Sequence, residues 1–448
     1  MNITRTNTRD WVSEPDGRGT WGILSTCVLT IILCCWTSVS PNLPAQPDGA
    51  FRKWRYKFDL AFITLLGSEF LLMLALGQWS SARRSVHDFH EAGYKGWTIT
   101  HAFFADMGGF QIEPPDIDLL PPFPLDAKQL YILVKGGYIE YPRLEEDEIK
   151  DKSKSDGVAK LITVAQALWF SLNCITRFAQ GLVVTTLEIT TLSFILVFLV
   201  TSYCWYHKPM DVNIPIILKP KKSVAIIRSN FNQNYESKWY ETPLEFLSRD
   251  EWFYSRFWRY YIQILHYMHI PLFTRPERQP YDRIPSFSIP RVNTQAEIIC
   301  APTILLFSSI FLFAWNSDFP SATEKLLWRL ASVYTLTYGL LGGLLSLYLH
   351  KKMFQPGLTK AMSQANVKRK IGTENEWTSR LAERFRNIDP NQDPNLEIPL
   401  RALIPVTLFC VFYCVGRGII LTEDLIGLRF LPESAYQTVS WSKYVPHW

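Results

Sequence analysis

The run FDLAFITLLGSEFLLMLALGQW, Phe58 to Trp79, is apolar over a length that suits a membrane crossing, yet Gly67, Ser68 and Glu69 stand in its middle. A hydrocarbon core of roughly 30 Å takes about 20 helical residues to cross. Read as one span, the run buries Glu69 where a carboxylate needs a partner, a cavity or a proton. Read as two helices, Gly67-Ser68 ends the first and caps the second, and Glu69 sits at a helix N-terminus. The span count turns on that choice.

Further apolar runs lie at Trp21–Val39, Leu187–Tyr206, Ile298–Trp315, Leu326–Leu349 and Leu400–Ile420. Leu161–Gln180 is less pure, carrying Asn173, Arg177 and several hydroxyls. The expected fold is all-α, a polytopic transmembrane bundle of about seven spans, with about six as the alternative. Its parts are a tail at 1–20, two spans within 21–79, an extramembrane region at 80–160, a hairpin at 161–206 and a loop at 207–297. A second hairpin at 298–349, a charged loop at 350–399, a last helix at 400–420 and a tail at 421–448 follow. The first run reads as a retained anchor, because Asp10, Glu14 and Asp16 precede it and no A-x-A-like cleavage site follows.

All 8 cysteines fall inside the apolar runs, which argues against a disulfide framework or a CxxC zinc pair. The net charge of +5 matters less than its placement. Arg83-Arg84, Lys208, Lys219, Lys221-Lys222, Lys351-Lys352 and Lys368-Arg369-Lys370 all flank the three long loops. With seven spans, the positive-inside rule puts those loops and the N-terminus in the cytosol. The basic link Phe51 to Lys57 (FRKWRYK) then faces outward, against the rule. Endoplasmic reticulum and plasma membrane fit equally.

Within the loops, QLYILVKGGYIEYP reads as two short strands around Gly136-Gly137, a β-hairpin. EEDEIKDKSKSD reads as a solvated helix face or linker. A long amphipathic interfacial helix is expected at about 243–271. Thr242-Pro243-Leu244-Glu245 or Ser248 with Glu251 would open it, and Arg256 and Arg259 lie among its aromatics. Capping boxes at Thr185/Glu188 and Ser321/Glu324 explain two carboxylates at span mouths.

The stretch GWTITHAFFADMGGF, Gly96 to Phe110, carries the candidate chemistry. Thr98 or Thr100 would cap a short helix through Met107, ended by Gly108 or Gly109 in a left-handed conformation. His101 and Asp106 then stand about 140° apart around the axis and do not face each other. The stretch reads as a re-entrant or interface-hugging plug. Asp106, His101 and Glu69 are the candidate catalytic residues, and Trp97, Phe103, Phe104 and Arg177 the candidate substrate-binding ones. A Glu69–Arg177 contact would neutralise both charges. HxxHH, HExxH, GxSxG, P-loop and GxGxxG patterns are absent, and His266 with His269 lacks a third ligand. No metal or cofactor is expected.

The chain resembles a large fungal family of uncharacterised multi-pass membrane proteins. The resemblance runs through WTITHAFFADMGGF, Asp151 to Asp156, QALWFSLNCITRFAQGLVVTTLEITTLSF and Lys208 to Val212. It continues in Ala314-Trp315-Asn316 with Phe319-Pro320, in LLWRLASV and in the tail LPESAYQTVSWSKYVPHW. It implies a fungal polytopic membrane protein associated with secondary metabolism, and it transfers no catalytic residue. The leading expectation is a membrane-embedded enzyme that acts on a lipid-like or isoprenoid small molecule by acid–base chemistry. Asp106 or Glu69 would donate the proton, with His101 as base or orienting group. The rivals are a transporter or receptor with Glu69 and Arg177 along its path, and a scaffold recruiting soluble enzymes. Expected partners are membrane lipids and a hydrophobic small molecule, without nucleic acid; oligomeric state is not fixed by the sequence.

Overall fold

A computed structural model describes residues 8–9, 11–13, 18–46, 48–115, 120–153, 157–233, 238–249, 252–270, 272–273, 279–353, 385–389 and 391–441. Among them, α1 (Thr20–Ser38), α7 (Gly157–Ala179), α8 (Thr186–Cys204), α11 (Thr294–Ile310) and α13 (Leu400–Ile426) are long and apolar enough to cross a membrane. α11 and α13 are extended by 3₁₀ turns to Ala314 and Arg429. α8 packs against α1, α3 (Ser68–Glu91), α7, α11 and α13, and it is buried on most of its circumference. Its hydroxyls fold back onto carbonyls, as Thr191 does onto Leu187. The outer helices turn leucines and aromatics outward: Leu168, Leu172 and Ile175 on α7, and Leu408, Phe412 and Val415 on α13. So wide an apolar belt suits hydrocarbon rather than water. The expected span Leu326–Leu349 lies on α12 (Ala322–Met353), which adds Leu330, Leu341 and Leu344 to that belt.

The helix ends sort onto two faces. On one face, strand β1 (Thr8–Arg9) pairs antiparallel with β5 (Leu431–Pro432). Thr20 bonds Tyr436 there, Arg18 pairs with Glu188, and Arg429 pairs with Glu324. On the other face, Asn42 follows α1 and bonds Ser286, Lys208 follows α8, and Ser80 meets Asn293 at the mouth of α11. α1, α7, α8, α11, α12 and α13 therefore run alternately between a terminal face and a capped face.

Phe58–Trp79 is not a straight span. α2 (Ala50–Leu66) stops at Gly67, and α3 leaves at an angle of 116°. Both outer ends of the pair lie on the capped face: Lys53 meets Asn213, and Arg84 meets the Arg291 carbonyl. The corner lies inside the bundle, where Tyr413 of α13 donates to Glu69. A Gly-Ser pair is where a sharp kink is cheapest, and the Gly67 N–H still closes α2 onto Ile63 at 2.8 Å. The basic link Phe51–Lys57 thus joins the other basic loops on the capped face, which removes its conflict with the charge pattern. α2 exposes Phe51, Trp54, Phe58, Phe62 and Leu66 along one edge.

The cap is built on α4 (Ile99–Asp106), α5 (Ala127–Lys135), α6 (Glu146–Lys152) and a three-stranded sheet ordered β3–β2–β4. β2 (Phe110–Ile112) pairs antiparallel with β3 (Phe123–Leu125) and parallel with β4 (Ile216–Leu218). The hairpin expected around Gly136-Gly137 is instead α5 and its C-terminus. Asp126 caps α5 with Gln129 completing a capping box, and Leu130, Leu133 and Val134 face the core at helical spacing. The apolar run LYILV suits either element; the capping box decides. α9 (Val224–Asn230) follows β4. The expected helix at about 243–271 is shorter: a 3₁₀ turn at Glu245–Leu247 precedes α10 (Phe253–Tyr267). Ser248 bonds Asp126 rather than opening that helix, and Glu251 lies outside the described residues. α4 is not a plug in the boundary layer, because α3, α5 and α6 enclose it and its residues from Thr100 to Ala105 are buried.

Candidate functional site

A cavity of about 190 Å³ opens where α3, the start of α5, the 241–249 segment and the 281–291 segment meet. Asp106, Asp126, Arg84, Arg249, Glu245 and Gln78 are among its walls. Asp106 ends α4, and its Oδ1 accepts the Ala127 N–H at 3.0 Å, so it helps Asp126 close the N-terminus of α5. Its Oδ2 is enclosed, and the Ser81 hydroxyl lies against the carboxyl. Burial and then the neighbouring Asp126 charge lift the Asp106 carboxyl to about 7, against the Ala127 N–H, Ser81 and Arg84. Burial also raises Asp126, against its hydrogen bonds from Ser248 and the Gln129 N–H. Two adjoining carboxyls that resist ionising together titrate as a pair.

Behind the cavity wall sits Lys208. Its ammonium donates to the Ser40 carbonyl at 2.7 Å, Gln78 at 2.8 Å and Asn42 at 3.3 Å, and Gln78 and Asn42 themselves line the cavity. Burial pushes Lys208 down to about 7, with the Lys160 charge adding to the effect and Asp106 opposing it. An acid and a base thus stand near neutrality on either side of one polar wall. Arg249 holds Glu241, Glu245 and Asp393 together, and Arg259 joins them through Glu241. This network ties the 241–249 segment to α10 and to the approach to α13.

Of the three candidate catalytic residues, only Asp106 reaches the cavity. The helix around His101 forms as the sequence suggests: Thr98 caps it, and Gly108 follows its end at φ +86°. His101 completes that capping box. Its Nδ1 accepts from the Thr98 hydroxyl at 2.8 Å, and its Nε2 donates to the Leu144 carbonyl at 2.9 Å. Burial lowers its pKa, so the ring stays neutral with both nitrogens occupied. Trp97, Phe103 and Phe104 are sealed in the core, where Trp97 stacks on Phe89 at 4.2 Å and bonds Ser85. Arg177 spends its guanidinium on the carbonyls of Val183, Ser434, Ala435 and Gln437 on the terminal face. Glu69 lies elsewhere, paired with Tyr413 and within reach of the Arg417 charge. The Glu69–Arg177 contact does not form.

Sequence reading missed Asp126 and Lys208 as site residues, and it reads Arg417 as an arginine snorkelling from the final turn of the last span. Asp126 with Gln129 was findable as a capping box. Lys208 gave only the signal of a basic residue at a span end. Among the described residues, no group of three or more histidine, cysteine or acidic side chains is arranged to hold a metal ion.

Residues 2–228, about half of the chain, match a family described as a family of unknown function (DUF8562), and the chain belongs to it. That half holds Glu69, Asp106, Asp126 and Lys208, whereas Arg249, Arg259, Tyr413 and Arg417 lie beyond it. No curated protein and no solved structure matches the chain.

Proposed function

We propose that the chain is a membrane-embedded enzyme that works by acid–base chemistry on a lipid-like small molecule at the cavity beneath its cap. Asp106 is the proton donor, Asp126 is the carboxylate that keeps it protonated, and Lys208 is the base held in reserve behind Gln78 and Asn42. The observation that carries this is the enclosed Asp106 carboxyl in a cavity wall, beside Asp126 and held near 7. A proton donor is most effective when its pKa lies near the working pH. The cavity is small and has charged side chains in an otherwise mixed wall, which suits the head of an amphiphile whose tail remains in the bilayer.

The membrane arrangement that accompanies this reading has about six crossings, α1, α7, α8, α11, α12 and α13, with α2–α3 re-entrant from the capped face. The basic loops and the link Phe51–Lys57 support a cytosolic cap, with both described chain ends on the opposite side. The test compares lipid and metabolite profiles of cells lacking the protein with cells carrying the wild type or Asp106→Asn. An accumulated precursor in both the deletion and Asp106→Asn supports the reading. A wild-type profile from well-expressed Asp106→Asn refutes it.

A further inference from the structure

Away from the cavity, the bundle interior holds a row of three charges. Arg417 is fully enclosed, with its guanidinium 5.1 Å, 5.3 Å and 5.7 Å from the ring centres of Phe311, Phe307 and Phe194. None of its side-chain nitrogens has a hydrogen-bond acceptor among the described residues. Tyr413, Arg417 and Asp424 are buried at i, i+4 and i+11, one face of α13. Glu69, at the α2–α3 corner, takes the Tyr413 hydroxyl with Oε1 and leaves Oε2 enclosed and unpartnered. The Arg417 charge reaches both Glu69 and Asp424. Tyr338 and Cys414 also face Glu69, while Thr186, Thr190 and Glu423 face Asp424.

Two carboxylates and one guanidinium sum to one negative charge. An uncompensated charge in a low-dielectric interior is expensive, so the triad is neutral only when it holds one proton. The two carboxyls are not equivalent. Asp424 lies toward the terminal face, near Glu423 and the Arg429–Glu324 pair. Glu69 lies on the capped-face side of Arg417, where Tyr413, one turn earlier on α13, donates to it.

We infer that this triad is a two-position proton carrier between the faces of the bundle. The proton resides on Glu69 or on Asp424, and Arg417 pairs with whichever carboxylate lacks it. In each exchange the O–H bond of the protonated carboxyl breaks as one forms on a water molecule at that face, and an O–H bond of a hydronium ion at the other face breaks as one forms on the second carboxyl. The guanidinium then shifts to the newly bare carboxylate, and no electrons are transferred. With one guanidinium between two carboxyls that share one proton, the site is neutral in both positions, which is what lets a charge-bearing relay exist in a dry bundle.

The test uses full-length protein reconstituted in phosphatidylcholine vesicles that contain a pH-sensitive dye, with an imposed proton gradient and a potassium-valinomycin shunt. Wild-type vesicles are expected to collapse the gradient faster than protein-free vesicles. Glu69→Gln and Asp424→Asn should each return the rate to the protein-free level. Tyr413→Phe, which leaves every charge in place, should slow the flux several-fold and covers the case in which a neutralised variant does not fold. Wild-type flux equal to that of protein-free vesicles overturns the proposal, as does wild-type flux in folded Glu69→Gln, Asp424→Asn or Tyr413→Phe.

Discussion

Replacing Asp106 by asparagine should make the protein more stable above neutrality while leaving it unchanged in acid. The carboxyl titrates near 7 in the fold against 3.8 for the free group. A folded-state pKa raised above the unfolded value gives stability that is present below the unfolded pKa and lost as pH rises through the folded one. The window is therefore about pH 4 to 7. About three pKa units correspond to a ceiling of about 4 kcal/mol, at 1.36 kcal/mol each. Asp106→Asn keeps the acceptor for the Ala127 N–H and removes only the charge. Thermal unfolding midpoints of the two proteins in detergent, measured from acid to alkaline pH, should coincide below pH 4 and separate progressively up to about 7. Above that the variant should hold a constant lead. A difference that is flat across the window would refute the assignment of Asp106 as a buried, proton-retaining carboxyl.

Lys208 should give the mirror image: its folded pKa near 7 lies below the free value of 10.5, so its stability contribution is lost as pH falls from above 10.5 through 7. Lys208→Met should abolish an alkaline rise worth up to about 5 kcal/mol, seen in the same melting series. Gly77→Ala places a Cβ 2.9 Å from the Pro290 carbonyl oxygen, whereas Gly67→Ala meets nothing within 4 Å. The first should cost about 1–3 kcal/mol by overpacking and the second much less, as compared by unfolding midpoints. Thr98→Ala removes one half of the α4 capping box and should cost about 1 kcal/mol, with His101 becoming accessible to diethylpyrocarbonate. Arg417→Met leaves Glu69 and Asp424 without their shared cation and should destabilise by about 3–5 kcal/mol. Adding Glu69→Gln should recover part of that loss.

Apolar length alone made the long helices legible, and local capping chemistry made α4 legible down to Thr98 and Gly108. The corner at Gly67 was visible as an alternative but not decidable. Both readings satisfy the hydropathy of Phe58–Trp79, and only the contacts of Lys53 and Arg84 show that its ends share a face. The conflict raised by the basic link Phe51–Lys57 was the better clue, because charge placement reports sidedness where hydropathy does not. The site was half legible. Asp106 could be singled out as polar among aromatics, but its partners Asp126 and Lys208 come from distant elements whose convergence no spacing rule encodes. His101 misled for a physical reason: a histidine at the third position of a capped helix serves the cap as well as a glutamine does. Glu69 is legible as a carboxylate in the middle of an apolar run, yet the cation whose charge reaches it is Arg417, well over three hundred residues further along the chain.

The pairing of Thr8–Arg9 with Leu431–Pro432 has a consequence for biosynthesis. The residues that fasten the outer end of α1 leave the ribosome long after α1 itself does. Until then Thr20 lacks Tyr436 and Arg177 lacks the carbonyls of 434–437. That end of α1 therefore stays unfastened until the segment at 431–437 has been made. Chains stalled or truncated before residue 431 should present that open seam to membrane quality control even when every helix has been inserted.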